Sequence, residues 1–96
     1  MPKLVSCDFE VFGKVQGVYF RKYTEKQATV LGLRGWCKNK STGSVIGKIE
    51  GDETRVHQMM DWLKTTGSPK SNIVKAIFSE PKAIQDFSTR NFTIRR

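Results

Sequence analysis

The stretch FGKVQGVYFRKYTEKQA, residues 12–28, decides how the chain folds. It begins in a segment that alternates and ends in one of helical period. Upstream, in LVSCDFEVFG (residues 4–13), Val5, Cys7, Phe9 and Val11 share one face and Ser6, Asp8 and Glu10 the other. That pattern predicts a half-buried strand with one wet face. Downstream, Phe20, Thr24, Ala28 and Leu31 recur at helical spacing, and Gly32 is placed to end the helix. Between strand and helix the chain turns sharply through two glycines and meets an arginine.

The remaining segments extend this strand-to-helix unit. LRGWCKN (33–39) reads as a second strand, KSTG (40–43) as a turn and SVIGKIEG (44–51) as a third strand, together a hairpin. Asp52 is placed to cap a second helix with the apolar stripe Val56, Met59, Met60 and Leu63, which TTGSP (65–69) ends. NIVKAIFSE (72–80) predicts a fourth strand. After a polar loop, NFTIRR (91–96) predicts a short fifth. The order β-α-β-β-α-β plus a terminal strand is the α+β, ferredoxin-like two-layer sandwich, one domain over residues 1–96. Both helices then cover one face of a mainly antiparallel sheet, and the other face is wet.

This topology brings distant residues together. The first and second strands run parallel with the third between them, so their C-terminal ends share one sheet edge. Arg21, after the first strand, therefore comes near Asn39, at the end of the second. The same arrangement separates Cys7 from Cys37 by two strand spacings, about 10 Å and beyond a disulfide's reach. Both thiols read as small core residues, reduced in a chain without a secretory leader.

The 96 residues carry a net charge of +8, so anionic partners are favoured: nucleic acid, a membrane surface or a phosphorylated metabolite. No apolar run reaches the length of a membrane span. The expected setting is cytoplasmic, and the expected state a monomer. The turn itself is suited to an anion. N–H groups at a helix start point outward, the helix dipole favours negative charge there, and successive N–H groups in a tight turn form a concave nest. The candidate anion-binding turn runs from Gly13 to Phe20, with Arg21 supplying a cationic fork. The plainer reading is a glycine turn that only redirects the chain, with Val18 and Phe20 anchoring it in the core. Asn39 is either a turn former or, beside a phosphate nest, the holder of a water. His57 reads as a surface residue. Neither a metal cluster nor a nucleophilic triad is evident, so the chemistry expected is positioning and charge without a cofactor.

GKVQGVYFR (13–21), LGLRGWCKN (31–39), GSV (43–45), GSPKS (67–71) and NFTIR (91–95) resemble the acylphosphatases, in the same order and over nearly the whole chain. The resemblance implies metal-independent hydrolysis of the carboxyl–phosphate bond of acyl phosphates. It implies a phosphoryl group held by Arg21 and the N–H groups of Gln16, Gly17, Val18, Tyr19 and Phe20, and a water oriented by Asn39. Inorganic phosphate is then product and competitor, and the family mechanism lets the substrate's own phosphate take the water's proton. One departure stands out: Lys40 occupies a position the family often fills with Thr. It is a modulator of Asn39, or a positive charge near the leaving carboxylate. Arg96 also differs from the aromatic of some members. Two other readings stay open. One is a basic nucleic-acid-binding module, though the first strand's open face shows Ser6, Asp8 and Glu10 and the third strand has no aromatic. The other is a catalytically weakened phosphate-binding homologue.

Overall fold

Each strand alternates between a face that meets two helices and a face that does not, and that alternation sets the architecture. A computed structural model describes residues 3–95. Its elements are β1 (Leu4–Lys14), α1 (Phe20–Val30), β2 (Arg34–Asn39), β3 (Val45–Asp52), α2 (Glu53–Thr65), β4 (Asn72–Phe78), β5 (Lys82–Ala83) and β6 (Phe92–Ile94). The sheet order is β4-β1-β3-β2-β6, with β5 pairing β1 alongside. β3 lies antiparallel to both β1 and β2, and β6 runs parallel to β2.

Val5, Cys7, Phe9 and Val11 of β1 are buried, together with Cys37, Val45 and Ile49 of the neighbouring strands. Phe20 and Ala28 of α1 and Val56, Met59 and Leu63 of α2 cover them. Each buried Val, Ile, Leu, Phe or Met side chain contributes about 1.5–3 kcal/mol on leaving water. Both helices have defined ends. The Asp52 carboxylate accepts from the Thr54 N–H at 3.0 Å, capping α2. After α1, the Leu33 N–H donates to the Ala28 carbonyl at 2.8 Å and the Gly32 N–H to that of Thr29 at 3.0 Å, a Schellman closure. The first helix thus stops at Val30, and Leu31 serves as its cap.

Three expectations change. The polar loop after β4 contains a short strand, β5, which pairs with the start of β1: Val5 opposes Ala83 and Ser6 opposes Lys82. The face away from the helices is not uniformly wet. The chain before β6 folds over one end of it, where Glu50 is 2% exposed and accepts from the Ser88 N–H at 3.0 Å and the Ser88 hydroxyl at 2.5 Å. Beside them the Arg34 guanidinium sits 3.8 Å from the centre of the Phe87 ring. This face also carries an aromatic on β2: Trp36 opposes Lys48 and Thr93, and Arg95 stacks over its ring at 4.5 Å. The terminal strand spans Phe92–Ile94, and Arg96 lies outside the described residues. No helix among those described is long and apolar enough to cross a membrane.

Candidate active site

β1 ends at Lys14 and α1 begins at Phe20, so the turn between them occupies residues 15–19. Val15 and Val18 are buried and fasten the turn from below, while Tyr19 is 77% exposed. Two residues of the turn take left-handed backbone angles, Gly17 at φ 74° and Tyr19 at φ 61°. Gly17 does so freely, but Tyr19 is strained there by about 1–2 kcal/mol. Such alternation makes successive N–H groups converge. Tyr19 is also the N-cap of α1, and no side chain caps that end. Among the described residues, the N–H groups from Gln16 to Phe20 have no protein acceptor. Five donors and the positive end of a helix dipole therefore face outward together.

A pocket of about 400 Å³ lies at this turn, lined by Gly17, Tyr19, Phe20, Arg21, Asn39 and Ile94 among others. The strand order places Asn39 here, as the last residue of β2, beside the strand ends that lead into the turn and out of β6. The Asn39 Oδ1 atom is buried and has no hydrogen-bond partner among the described residues. A buried amide oxygen without a partner costs about 1–3 kcal/mol, so the site has an acceptor to offer. Arg21 Nη1 lies 3.5 Å from the Arg95 carbonyl oxygen, which holds the guanidinium only loosely at the C-terminal end of β6.

Two of the residues singled out in the turn stand apart from the pocket lining. The Val18 side chain belongs to the core. The Gln16 carboxamide points away, donating from Nε2 to the carbonyls of Lys40 at 2.8 Å and Ser44 at 2.9 Å. Lys40 is outside the lining too. Its ammonium lies 3.5 Å from Glu10 Oε2, and the same carboxylate oxygen accepts from the Ser44 hydroxyl at 2.6 Å. The β2–β3 turn is therefore held from both sides, by Gln16 and by Glu10. Sequence reasoning missed Glu10 and Ser44. The only signal for them was the register that sets Glu10 near the start of β3.

Cys37 sits behind the pocket. Its thiol is fully buried and lies 4.0 Å from the Arg21 carbonyl oxygen. Burial pushes its pKa up to about 12, against the opposing pull of the Arg21 charge. Burial also raises that of Cys7. Both cysteines are free, and neither is a nucleophile at neutral pH. His57 is exposed on α2. Among the described residues, no three His, Cys, Asp or Glu side chains gather to hold a cation.

The family model described as Acylphosphatase matches residues 7–94. Acylphosphatase-2 of Rattus norvegicus is 51% identical over 92 residues, covering 96% of this chain and 95% of that one. Acylphosphatase-1 of Xenopus tropicalis is 48% identical over 90 residues, covering 94% and 92%. Among solved structures, an acylphosphatase from Coxiella burnetii superposes with a TM-score of 0.85 at 32% identity, over 97% of this chain and 94% of that one.

Proposed function

The chain belongs to the acylphosphatase family, and from that premise we propose how its own residues perform the reaction. It is an acylphosphatase, a hydrolase acting on an acid anhydride. The phosphoryl group of an acyl phosphate enters the 15–19 turn. There the N–H groups of Gln16, Gly17, Val18, Tyr19 and Phe20 and the Arg21 guanidinium meet its oxygens. Asn39 holds a water on the β2 side. The water oxygen attacks phosphorus as the bond to the acyl oxygen breaks. The carboxylate departs with the bonding electrons, and the water's proton passes to a phosphoryl oxygen. Positive charge and oriented donors stabilise the transition state, as a loose phosphoryl transfer requires. The reading asks no metal or cofactor of the protein.

The observation that carries this reading is that one pocket combines the outward N–H groups and Arg21 with the unpartnered Oδ1 of Asn39. Lys40 takes part through its carbonyl, which anchors Gln16, since its ammonium is engaged by Glu10 on the other face of the sheet. The pairing with Glu10 supports a role for the ammonium away from the leaving carboxylate. All residues used come from one chain, so a monomer suffices. Two free thiols suit the reducing cytoplasm. Inorganic phosphate, the product, competes for the same donors. A nucleic-acid role is not favoured, because Arg95 covers Trp36 and Ser88 closes over Glu50.

The test is release of benzoate from benzoyl phosphate in EDTA, with inorganic phosphate as a competitive inhibitor. Protein that is folded by circular dichroism yet inactive both with and without Mg²⁺ rules the reading out.

A further inference from the structure

Beyond the phosphate pocket a second and larger cavity, of about 660 Å³, runs beside α1. Its helix wall is made by Lys22, Lys26, Thr29 and Val30, which follow one another at helical spacing, with Tyr23 beside them; Phe92 of β6 contributes from the sheet. From Lys22 to Val30 the groove follows the helix for about 12 Å. Lys22 lines this groove and also the pocket of Arg21 and Asn39, so the two spaces meet at that side chain.

The direction of the reaction matters here. In an in-line displacement the leaving oxygen departs on the side of phosphorus opposite the attacking water. With the water held by Asn39, the acyl group departs from the opposite side of the phosphoryl group. Along α1, Lys22 borders both the pocket and the groove. The groove walls are largely carbon. Val30 is 70% exposed, Tyr23 is partly exposed, and the lysines add their methylene stems. The charge at the entrance is partly offset, because Lys22 lies 3.9 Å from Glu25.

We propose that this groove receives the acyl group, and that the enzyme favours acyl phosphates with an extended apolar chain over those of acetyl size. The inference rests on the acylphosphatase reading above. Binding energy gained along the groove holds the phosphoryl group in register with Arg21 and Asn39. In an open groove the added methylenes are only partly buried. The preference is therefore about tenfold, well below the value for full burial.

The experiment compares kcat/KM for acetyl phosphate and octanoyl phosphate in wild type, Val30→Asp and Val30→Leu. Val30 lies on the helix surface at the end of α1, far along the groove from Arg21, so both variants should fold. The expected result is octanoyl phosphate ahead by about tenfold in wild type. Val30→Asp abolishes that advantage and leaves acetyl phosphate within about twofold, while Val30→Leu keeps it. Equal rates for the two substrates in wild type, or an equal loss on both in Val30→Asp, overturn the groove while leaving the hydrolase intact. Failure to hydrolyse either acyl phosphate overturns the hydrolase reading itself.

Discussion

Gln16 reaches across from the anion-binding turn to the β2–β3 turn, its Nε2 2.8 Å from the carbonyl oxygen of Lys40, the residue next to Asn39. A second bond from the same nitrogen goes to Ser44. The phosphate side and the water side of the site are thereby tied by one side chain. Gln16→Ala should cost about 1–2 kcal/mol of stability for the two bonds. It should also lower kcat by about tenfold, because the two halves lose register. Gln16→Glu should be worse, since a carboxylate then faces two carbonyl oxygens. Chemical denaturation and steady-state kinetics read the two effects separately. A Gln16→Ala protein with full kcat would show that the tie is only structural.

Arg21 is half-buried, and among the described residues its guanidinium donates only the long hydrogen bond to the Arg95 carbonyl. Its charge is therefore available to a ligand. Arg21→Ala should abolish inhibition by inorganic phosphate and reduce turnover by at least about a thousandfold. Arg21→Lys should recover little, because an ammonium lacks the planar fork. Phosphate inhibition that persists in Arg21→Ala would remove the arginine from the site.

Asn39 should show the opposite split. Its Oδ1 is proposed to touch water rather than phosphate, so Asn39→Ala should lower kcat by about a hundredfold or more. The inhibition constant for phosphate should stay within about threefold of wild type. Parallel losses in turnover and phosphate affinity would assign Asn39 to phosphate binding.

Lys40 is a milder case. The Lys40–Glu10 pair is partly exposed on both sides, and pairs of that kind contribute at most about 1 kcal/mol. Lys40→Thr leaves the backbone carbonyl that anchors Gln16 in place. It should therefore keep kcat within about threefold and shift stability by less than about 1 kcal/mol. A large gain in kcat would mean that the lysine restrains the enzyme, and that the weakened-homologue reading deserves revival.

Cys37 predicts an alkaline limit. Its thiol ionises near 9.0 in an ordinary setting and, held by burial, only at about 12 in the fold. Between those values the unfolded chain binds fewer protons than the folded one. Stability therefore falls as pH rises through this window, by up to about 1.4 kcal/mol per pH unit for one thiol. Cys37→Ala should flatten that decline while leaving a constant penalty for its smaller volume. Denaturation curves from pH 8 to 11 on both proteins test this, and identical slopes would contradict it.

Much of this was legible from the chain. The alternation of Val5, Cys7, Phe9 and Val11, the period of Phe20, Thr24 and Ala28, and the cap at Asp52 each follow from local physics. Strand order then placed Asn39 near Arg21 without any side-chain detail. What could not be read was anything set by long-range closure. Ser88 buries Glu50 through contacts 38 residues apart, and no local pattern marks a glutamate for burial. β5 is too short to carry an alternation. The alternation that buries Cys37 turns Trp36 to the open face, but its cover by Arg95 comes from the far end of the chain.

The parallel pairing of β6 with β2 has a temporal consequence. Ile94 lines the phosphate pocket and the Arg95 carbonyl faces Arg21, so the first and last thirds of the chain must both be present to finish the site. A chain emerging from the ribosome N-terminus first has its arginine and its turn early, but it lacks the wall they work against until residue 95 clears the exit tunnel. Catalysis then waits on the last strand of the fold rather than on the segment that carries the arginine.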